Sequence, residues 1–470
     1  MNEQKDSEEI KQKDEQSEAN ENNTIIEKKK KSVWRYIIRV AIIFIILAVF
    51  YTAILMIEKV QVVNSIFQNL EDEEISLTEY LVYGTHLNIK GNLKINDENI
   101  SNVRLCFKSV NNENLEDVSM NFTKTADGIS FYTSNLINEG IDLEKFDVGM
   151  YYVFVKVISD DGLNRIYTIK NTTRYDNIDY YTITKNGKNK RIDIKFGIYS
   201  LEEIKKDYMC LNVNFDKLPE DVYDIVIDPG HGGKDVGAEA NGYREANLAL
   251  KFATKVKREL EASGFKVKIT RDGTEGDEYN VYTVYDKNGR VNVTGASKAK
   301  YVFSIHLNSI EIPNSQKGVE IYAPTKINLN MAKAFADNIV KYGKTNYSTL
   351  GGRYNVANGV YVRTFTEKGI QESIKEANKK GYKPYDIKQD TPYLYMLRET
   401  GGIATGAYVD GRNPDYGKNM YYDSNIGLEA YLLELGYINN RSDLQNMLIN
   451  EDGYVEGIVK TIEDEIFGRI

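Results

Sequence analysis

Only three histidines occur in the 470 residues, His86, His231 and His306, so any imidazole chemistry must run through them. Two of them end apolar runs of strand character: His231 closes DIVIDPGH and His306 closes YVFSIH. A strand end holds a side chain rigidly while leaving its tip in a crevice. Gly230, Gly232 and Gly233 surround His231, which predicts a sharp, open turn that Cβ atoms would obstruct. Fourteen positions after His231, Glu245 opens the amphipathic segment EANLALKFATKVKRELEASG, behind a glycine-rich loop able to fold it back. Two imidazoles and one carboxylate match the ligand set of a catalytic zinc site, with water in the fourth position. Magnesium or calcium would want more oxygen ligands. Taken singly, Glu245 also suits a helix N-terminus by its charge alone. The turn has neither G-x-x-x-x-G-K-[ST] nor G-x-G-x-x-G, which argues against a phosphate cradle.

Glu434 stands inside the apolar run YLLELGYI. Desolvation there favours the neutral acid and moves its proton affinity toward a useful range, so beside an activated water it could serve as general base. The alternative is a structural carboxylate paired with an arginine or a backbone donor. A covalent nucleophile has little support: Cys210 precedes this region, and Ser304 and Ser309 merely flank His306. His86 has no second ligand type at metal spacing and reads as structural. Cys106 and Cys210 form no C-x-x-C pair and no disulfide framework.

Elements of alternating type must position these groups. From about 218 onward, strand-like DIVIDPG, FKVKITR, YVFSIHL, KGVEIYAP and EAYLLELGYI alternate with helical patterns, among them VNVTGASKAK and LNMAKAFADNIVKYG, with closing helices near 442–449 and 455–467. Continuous apolar strands between helices predict an α/β domain whose sheet is covered on both faces. Between 77 and 217, short alternating runs such as NVRLCFKSV and MYYVFVKVI, separated by turn signals including Asp161–Gly162 and Asn186–Gly187, predict a β-sandwich-like domain.

The segments IVIDPGHGGKDVGA, REANLAL, TRDG, YVFSIHLNS and LLELGYINN, in that order, resemble the successive signatures of the zinc-dependent N-acetylmuramoyl-L-alanine amidase family, the type 3 amidases, over about 218–470. The resemblance implies an α/β sheet flanked by helices and one zinc ion bound by His231, Glu245 and His306, with Glu434 as the catalytic glutamate. The activity it implies is cleavage of the amide between N-acetylmuramic acid and L-alanine of peptidoglycan stem peptides. One departure is length: 127 residues separate His306 from Glu434, and the excess is placed at about 343–425. That stretch is locally basic and holds 11 of the 35 tyrosines. It suits a groove wall that stacks on sugars and pairs with stem-peptide carboxylates, a flank that simply packs on the domain, or a segment that occludes the site.

Residues 1–33 are charged and poor in large apolar groups, which predicts a solvated tail. Residues 34–57 predict one transmembrane helix, whose core from Val40 to Ile57 carries no charge. A cleaved signal peptide is the rival reading, but no small-x-small site follows before Glu58. Lys28 to Lys31, Arg35 and Arg39 precede this uncharged core, and residues 58–77 carry only Lys59 among the bases, so the N-terminus is expected in the cytoplasm. A connector over 58–76 then leads to an extracytoplasmic β-rich region, readable as a spacer, and to the enzyme, which must meet its substrate on the wall side. With 60 basic and 69 acidic residues, the net charge of −9 argues against a chain-wide nucleic-acid surface. The expected partners are peptidoglycan and the membrane, with protein regulators left open. Two other readings stay open: a non-catalytic or inhibited wall-binding or divisome protein on the same fold, and a zinc peptidase acting within stem peptides.

Overall fold

The computed structural model describes residues 30, 33–52, 71, 73–95, 99–110, 115–173, 177–184, 188–196, 209–276, 289–379, 381, 387–400 and 426–468. The expected tail, most of the connector, the Asn186–Gly187 turn and the last part of the 343–425 stretch lie outside these residues. The chain forms two compact units, 1–68 and 69–470. In the first, α1 (Val33–Thr52) has a mean hydropathy of 2.3 and no buried share, and its 20 residues suffice to cross a bilayer. Its length and composition suit an anchor or a signal sequence alike.

In the second unit, the β-rich part comprises β1 (Ile75–Tyr83), β2 (His86–Lys94), β3 (Ile100–Ser109), β4 (Leu115–Thr125), β5 (Gly128–Tyr132), β6 (Ile141–Asp142), β7 (Gly149–Ser159), β8 (Asn164–Tyr167), β9 (Ile169–Asn171), β10 (Asn177–Tyr181), β11 (Asn189–Phe196) and β12 (Met209–Asp216). The long β4 pairs with β3 through its first half and with β5 through its second, so it passes from one sheet to the other. Between the two sheets lies one apolar core, containing Leu77, Val103, Phe107, Phe131, Val155 and Leu211. This is the expected sandwich, with a qualification: β1 also takes parallel partners, β9 and, from far along the chain, β21 (Ile426–Gly427). A partner that arrives by a long connection is free of the hairpin geometry that imposes antiparallel pairing. The Asp161–Gly162 turn links β7 to β8, with Gly162 at φ 82°.

The α/β part is built on a seven-stranded sheet ordered β16-β13-β17-β22-β18-β20-β19. Its strands are β13 (Ile225–Pro229), β16 (Val267–Ile269), β17 (Tyr301–Asn308), β18 (Glu320–Tyr322), β19 (Asn355–Ala357), β20 (Val360–Tyr361) and β22 (Glu429–Tyr437); β14 (Glu239–Ala240) and β15 (Tyr243–Arg244) form a separate hairpin. The four adjacent strands β16, β13, β17 and β22 are parallel, whereas β18 runs antiparallel to β22. The helices are α2 (Glu245–Ala262), α3 (Arg290–Ala296), α4 (Asn330–Tyr342), α5 (Glu367–Lys379), α6 (Tyr395–Thr400), α7 (Arg441–Ile449) and α8 (Glu451–Ile462). Buried positions on α2, at Leu248, Ala249, Phe252, Val256 and Leu260, recur at helical spacing and pack with α4, α7 and α8 on one face of the sheet. The other face, with Val226, Val302, Leu432 and Tyr361, is covered by α3 and by α6 of the extra stretch.

The two parts of this unit meet over buried charge. Lys300, which precedes β17, is 1% exposed; its Nζ lies 3.9 Å from Asp224 and 5.4 Å from the centre of the Tyr180 ring. Burial pushes Glu144 up to about 7 against the opposing pull of the Tyr180 hydroxyl and Lys300. The folded protein therefore keeps a proton that an unfolded Glu144, near 4.5, has released. The stability this contributes is complete below about 4.5 and is lost as pH rises toward about 7. Glu144→Gln should remove that slope: between pH 4.5 and 7 the wild type should lose on the order of 2–3 kcal/mol relative to the variant in denaturant unfolding. Parallel pH profiles for the two proteins would refute the assignment.

Candidate active site

The turn after β13 carries His231 in a left-handed conformation, φ 59°, which costs strain in a residue with a Cβ and persists only when its surroundings enforce it. Two buried arginines enforce it. Arg290 donates to the carbonyls of Pro229, at 3.1 Å, and of His231, and forms an ion pair with Asp228 at 3.3 Å. Arg271 donates to the carbonyls of Pro229 (3.0 Å), Gly230 (2.7 Å) and Ala246 (2.7 Å). The same guanidinium thus ties the His231 turn to the first residues of α2, which begins with Glu245. Asp228 is fully buried and takes further hydrogen bonds from Thr270 and Ser304, each at 2.6 Å.

Glu245 sits in the first turn of α2 with its carboxylate turned inward. Its backbone N–H donates to the Ala238 carbonyl, and its Oε2 accepts from the Ala238 N–H at 3.0 Å, which folds the glycine-rich loop against the helix start. Its Oε1 lies 3.0 Å from His231 Nε2, 3.0 Å from His306 Nδ1 and 3.1 Å from the Leu307 N–H. The two imidazoles are 4.9 Å apart between ring centres. Asp235 Oδ2 stands 2.9 Å from His231 Nδ1 and so fixes the ring with Nε2 facing inward. Gly230 and Gly237 make this convergence possible: a Cβ on Gly230 would collide with the His306 ring, and one on Gly237 would lie 2.7 Å from both Glu245 Oε2 and His231 Cδ2.

Glu434 comes next to this group through strand pairing, since β17 and β22 place it opposite His306. Its Oε2 is buried without a hydrogen-bond partner among the described residues, where neither an arginine nor a backbone donor holds that oxygen. Burial raises its proton affinity well above the ordinary carboxylate range, and the negative charges of Glu245 and Glu320 raise it further. Glu245 behaves oppositely: burial alone would raise it, but the hydrogen bonds and charges of His231 and His306 outweigh burial and hold it far below that range. Burial would likewise lower His231, yet Glu245 and Asp235 together raise it.

The residues fit a zinc ion. One atom from each of His231, Glu245 and His306 lies within 4.8 Å of the others, the donors are two nitrogens and one oxygen, and the orphaned Glu434 oxygen lies beside them. All four residues selected from the sequence are therefore brought together. Sequence reasoning missed Asp235, Arg271, Arg290 and Glu320. Glu320, opposite Glu434 on β18, is fully buried and accepts from Asn308 (2.9 Å), Tyr322 (2.8 Å), Ser348 (2.7 Å) and the Tyr437 hydroxyl. It lies in an apolar run, VEIY, as Glu434 does, and that signal was available.

Two imidazoles at strand ends of an α/β sheet and a carboxylate at a helix start, with a second desolvated carboxylate adjacent, suit a metal-dependent hydrolase. The chain belongs to the N-acetylmuramoyl-L-alanine amidase family, whose model matches residues 225–466. It is 34% identical over 115 residues to the N-acetylmuramoyl-L-alanine amidase LytC of Bacillus subtilis, covering 24% of this chain and 21% of that protein. With the sporulation-specific N-acetylmuramoyl-L-alanine amidase of the same organism it shares 28% identity over 163 residues, 33% of this chain and 59% of the relative. The chain thus spans between about a fifth and three fifths of the length of these relatives. The solved N-acetylmuramoyl-L-alanine amidase AmiC2 of Nostoc punctiforme aligns at 21% identity with a TM-score of 0.34, covering 53% of this chain and 99% of that one.

Because Arg271 joins the backbone of both ligand-bearing segments, Arg271→Lys should weaken zinc binding about 10–100-fold in a chelator-competition titration. An unchanged dissociation constant in the folded variant would show that the guanidinium does not organise the site.

Proposed function

We infer that this protein is a membrane-anchored cell-wall hydrolase that cleaves the amide between N-acetylmuramic acid and the L-alanine of peptidoglycan stem peptides. The reading assigns residues 1–33 to a cytoplasmic tail, 34–57 to a single membrane helix, 58–76 to a connector and 77–217 to an extracytoplasmic β-rich domain. Residues 218–470 form the amidase domain, with its extra stretch at about 343–425. The observation that carries the reading is the pairing of His306 with Glu434 beside Glu245 and His231, in a chain of this family. The apolar helix, uncharged from Val40 onward, and the basic residues at and before its start support the anchor and its orientation.

His231, Glu245 and His306 would hold one zinc ion. Such an ion lowers the pKa of a bound water from 15.7 toward ~7 and polarises a carbonyl. Asp235 orients His231, and the Leu307 and Ala238 N–H groups orient Glu245. Glu434, desolvated and with a free oxygen, takes the proton of the attacking water and returns it to the departing amine of L-alanine, whose expulsion as an anion would be prohibitive. Glu320 keeps a second buried carboxylate fully hydrogen-bonded beside it, so that only Glu434 is left to exchange protons.

Glu434→Gln removes the base and preserves every ligand. It should bind zinc as the wild type does and lose about 10²–10⁴ of the rate of peptidoglycan cleavage. Mass spectrometry of the products, with and without chelator, checks the bond: release of intact stem peptides beginning with L-alanine is expected only without chelator. Cuts inside the stem peptide would instead support a zinc peptidase, and intact peptidoglycan with zinc bound would support a binding protein.

A further inference from the structure

The β-rich part does more than space the enzyme from the membrane. Besides the segment 326–328 before α4, its contacts fall on the starting ends of β17 and β22, the two strands that further along carry His306 and Glu434. The segment just before β22 is itself a strand of the β-rich sheet: Ile426 and Gly427 pair with Val82 and Tyr83 of β1, and the Gly84 N–H donates to the Gly427 carbonyl at 2.8 Å. Two residues on, Glu429 opens β22. It is fully buried, and Asn138 of the β-rich part donates to its Oε1 at 3.0 Å. Gly84 closes over it at φ 56°, where a Cβ would stand 3.2 Å from Glu429 Oε2. The Glu429 N–H in turn donates to the carbonyl of Lys300 at 2.8 Å, the residue before β17 whose side chain is enclosed by Tyr180. Asn138 is also fixed on its other side, since its Oδ1 accepts from the Asn328 N–H at 2.8 Å.

From this end the two strands run in unbroken register, Tyr301 opposite Glu429 through His306 opposite Glu434, and the register shifts only beyond His306. An extended strand hardly stretches, so fixing one end sets the other, about 17 Å away over five residues. We propose that the β-rich domain is a positioning element of the active site: by holding Glu429 through Asn138 and β1, it sets the height of Glu434 beside His306. The proposal rests on the reading of Glu434 as the proton-handling group, and Asn138 is a positioning residue, some five strand positions removed from the chemistry.

The test uses the full chain with Asn138→Asp, Glu429→Gln and the double variant. Asn138→Asp sets a second carboxyl against Glu429 and should push β22 away. The expected result is a kcat lowered about tenfold or more, with KM near the wild-type value, and faster deuterium uptake by 429–437 without a change in 225–229. The double variant exchanges the roles of the two side chains: the amide introduced on β22 donates to the carboxylate introduced on the β-rich side, so kcat and exchange should return toward wild type. A folded Asn138→Asp protein with unchanged kcat and unchanged uptake at 429–437 overturns the proposal. So does a change in KM alone, or uptake rising equally in 225–229, which would report general loosening. If Asn138→Asp does not fold, Asn138→Ser, which removes the amide donor without adding charge, is held to the same outcomes. Should the wild type cleave no peptidoglycan, the functional reading fails, while the exchange comparison still decides whether the clamp exists.

Discussion

The structure depends on a single buried carboxylate. Glu245 Oε1 is shared by two imidazoles and a backbone N–H, and Oε2 is held by another. A carboxylate removed from water costs several kcal/mol unless its lone pairs are all satisfied, so the three segments that supply those partners must arrive together. His306 comes from the end of β17, His231 from the turn after β13, and Glu245 from the helix that follows. None of the three can be placed without the other two. The glycines of the loop are a consequence of that crowding: Gly230 and Gly237 leave room that a methyl group would fill.

Around this centre the buried charges of Asp228, Arg271 and Glu320 are each surrounded by partners. Asp228 is met by Thr270, Ser304 and Arg290; Arg271 spends its fork on three carbonyls and Glu275; Glu320 is met by four donors. These networks are rigid because a lost partner would leave a desolvated group unmatched. Glu434 Oε2, by contrast, has no hydrogen-bond partner among the described residues. An oxygen without a committed donor suits the proton-exchange role proposed for Glu434, and its isolation is tolerable because the surrounding scaffold is held by its neighbours.

Much of this was legible in the sequence, for reasons that also explain the gaps. His231 and His306 stood out because there are only three histidines and both end apolar runs. Glu434 stood out because a charge in an apolar strand demands a reason. The same reasoning applied to Glu320 and Glu429 would have found both, but each sits at the start of its strand, where a charge reads as flanking a run. Arg271 and Arg290 were not legible as structural because arginine in a polar stretch normally faces water; the carbonyls of a strained turn and the carboxylates of Asp228 and Glu275, brought together only by the fold, account for their burial. The sandwich was legible from alternation, but not its parallel pairing with 426–427, since no local pattern announces a partner more than 300 positions away.

Strand periodicity also decides where the extra stretch belongs. Along β22, Tyr431, Leu433 and Leu435 face the helices α2, α4 and α8, while Ala430 and Leu432 face the opposite side. Alternation puts Glu434 on the second side. That side is the one covered by the described portion of the 343–425 stretch, through Tyr361, Met396 and Leu397 packed with Leu432, and through Tyr361, whose hydroxyl donates to the Leu350 carbonyl at 2.6 Å. Tyr322, which donates to Glu320, packs against Tyr361 on the same face with ring centres 5.4 Å apart. The added residues therefore do not hang from a remote edge. Their described portion covers part of the sheet face on which Glu434 lies, so its tyrosines shape the surroundings of that carboxyl.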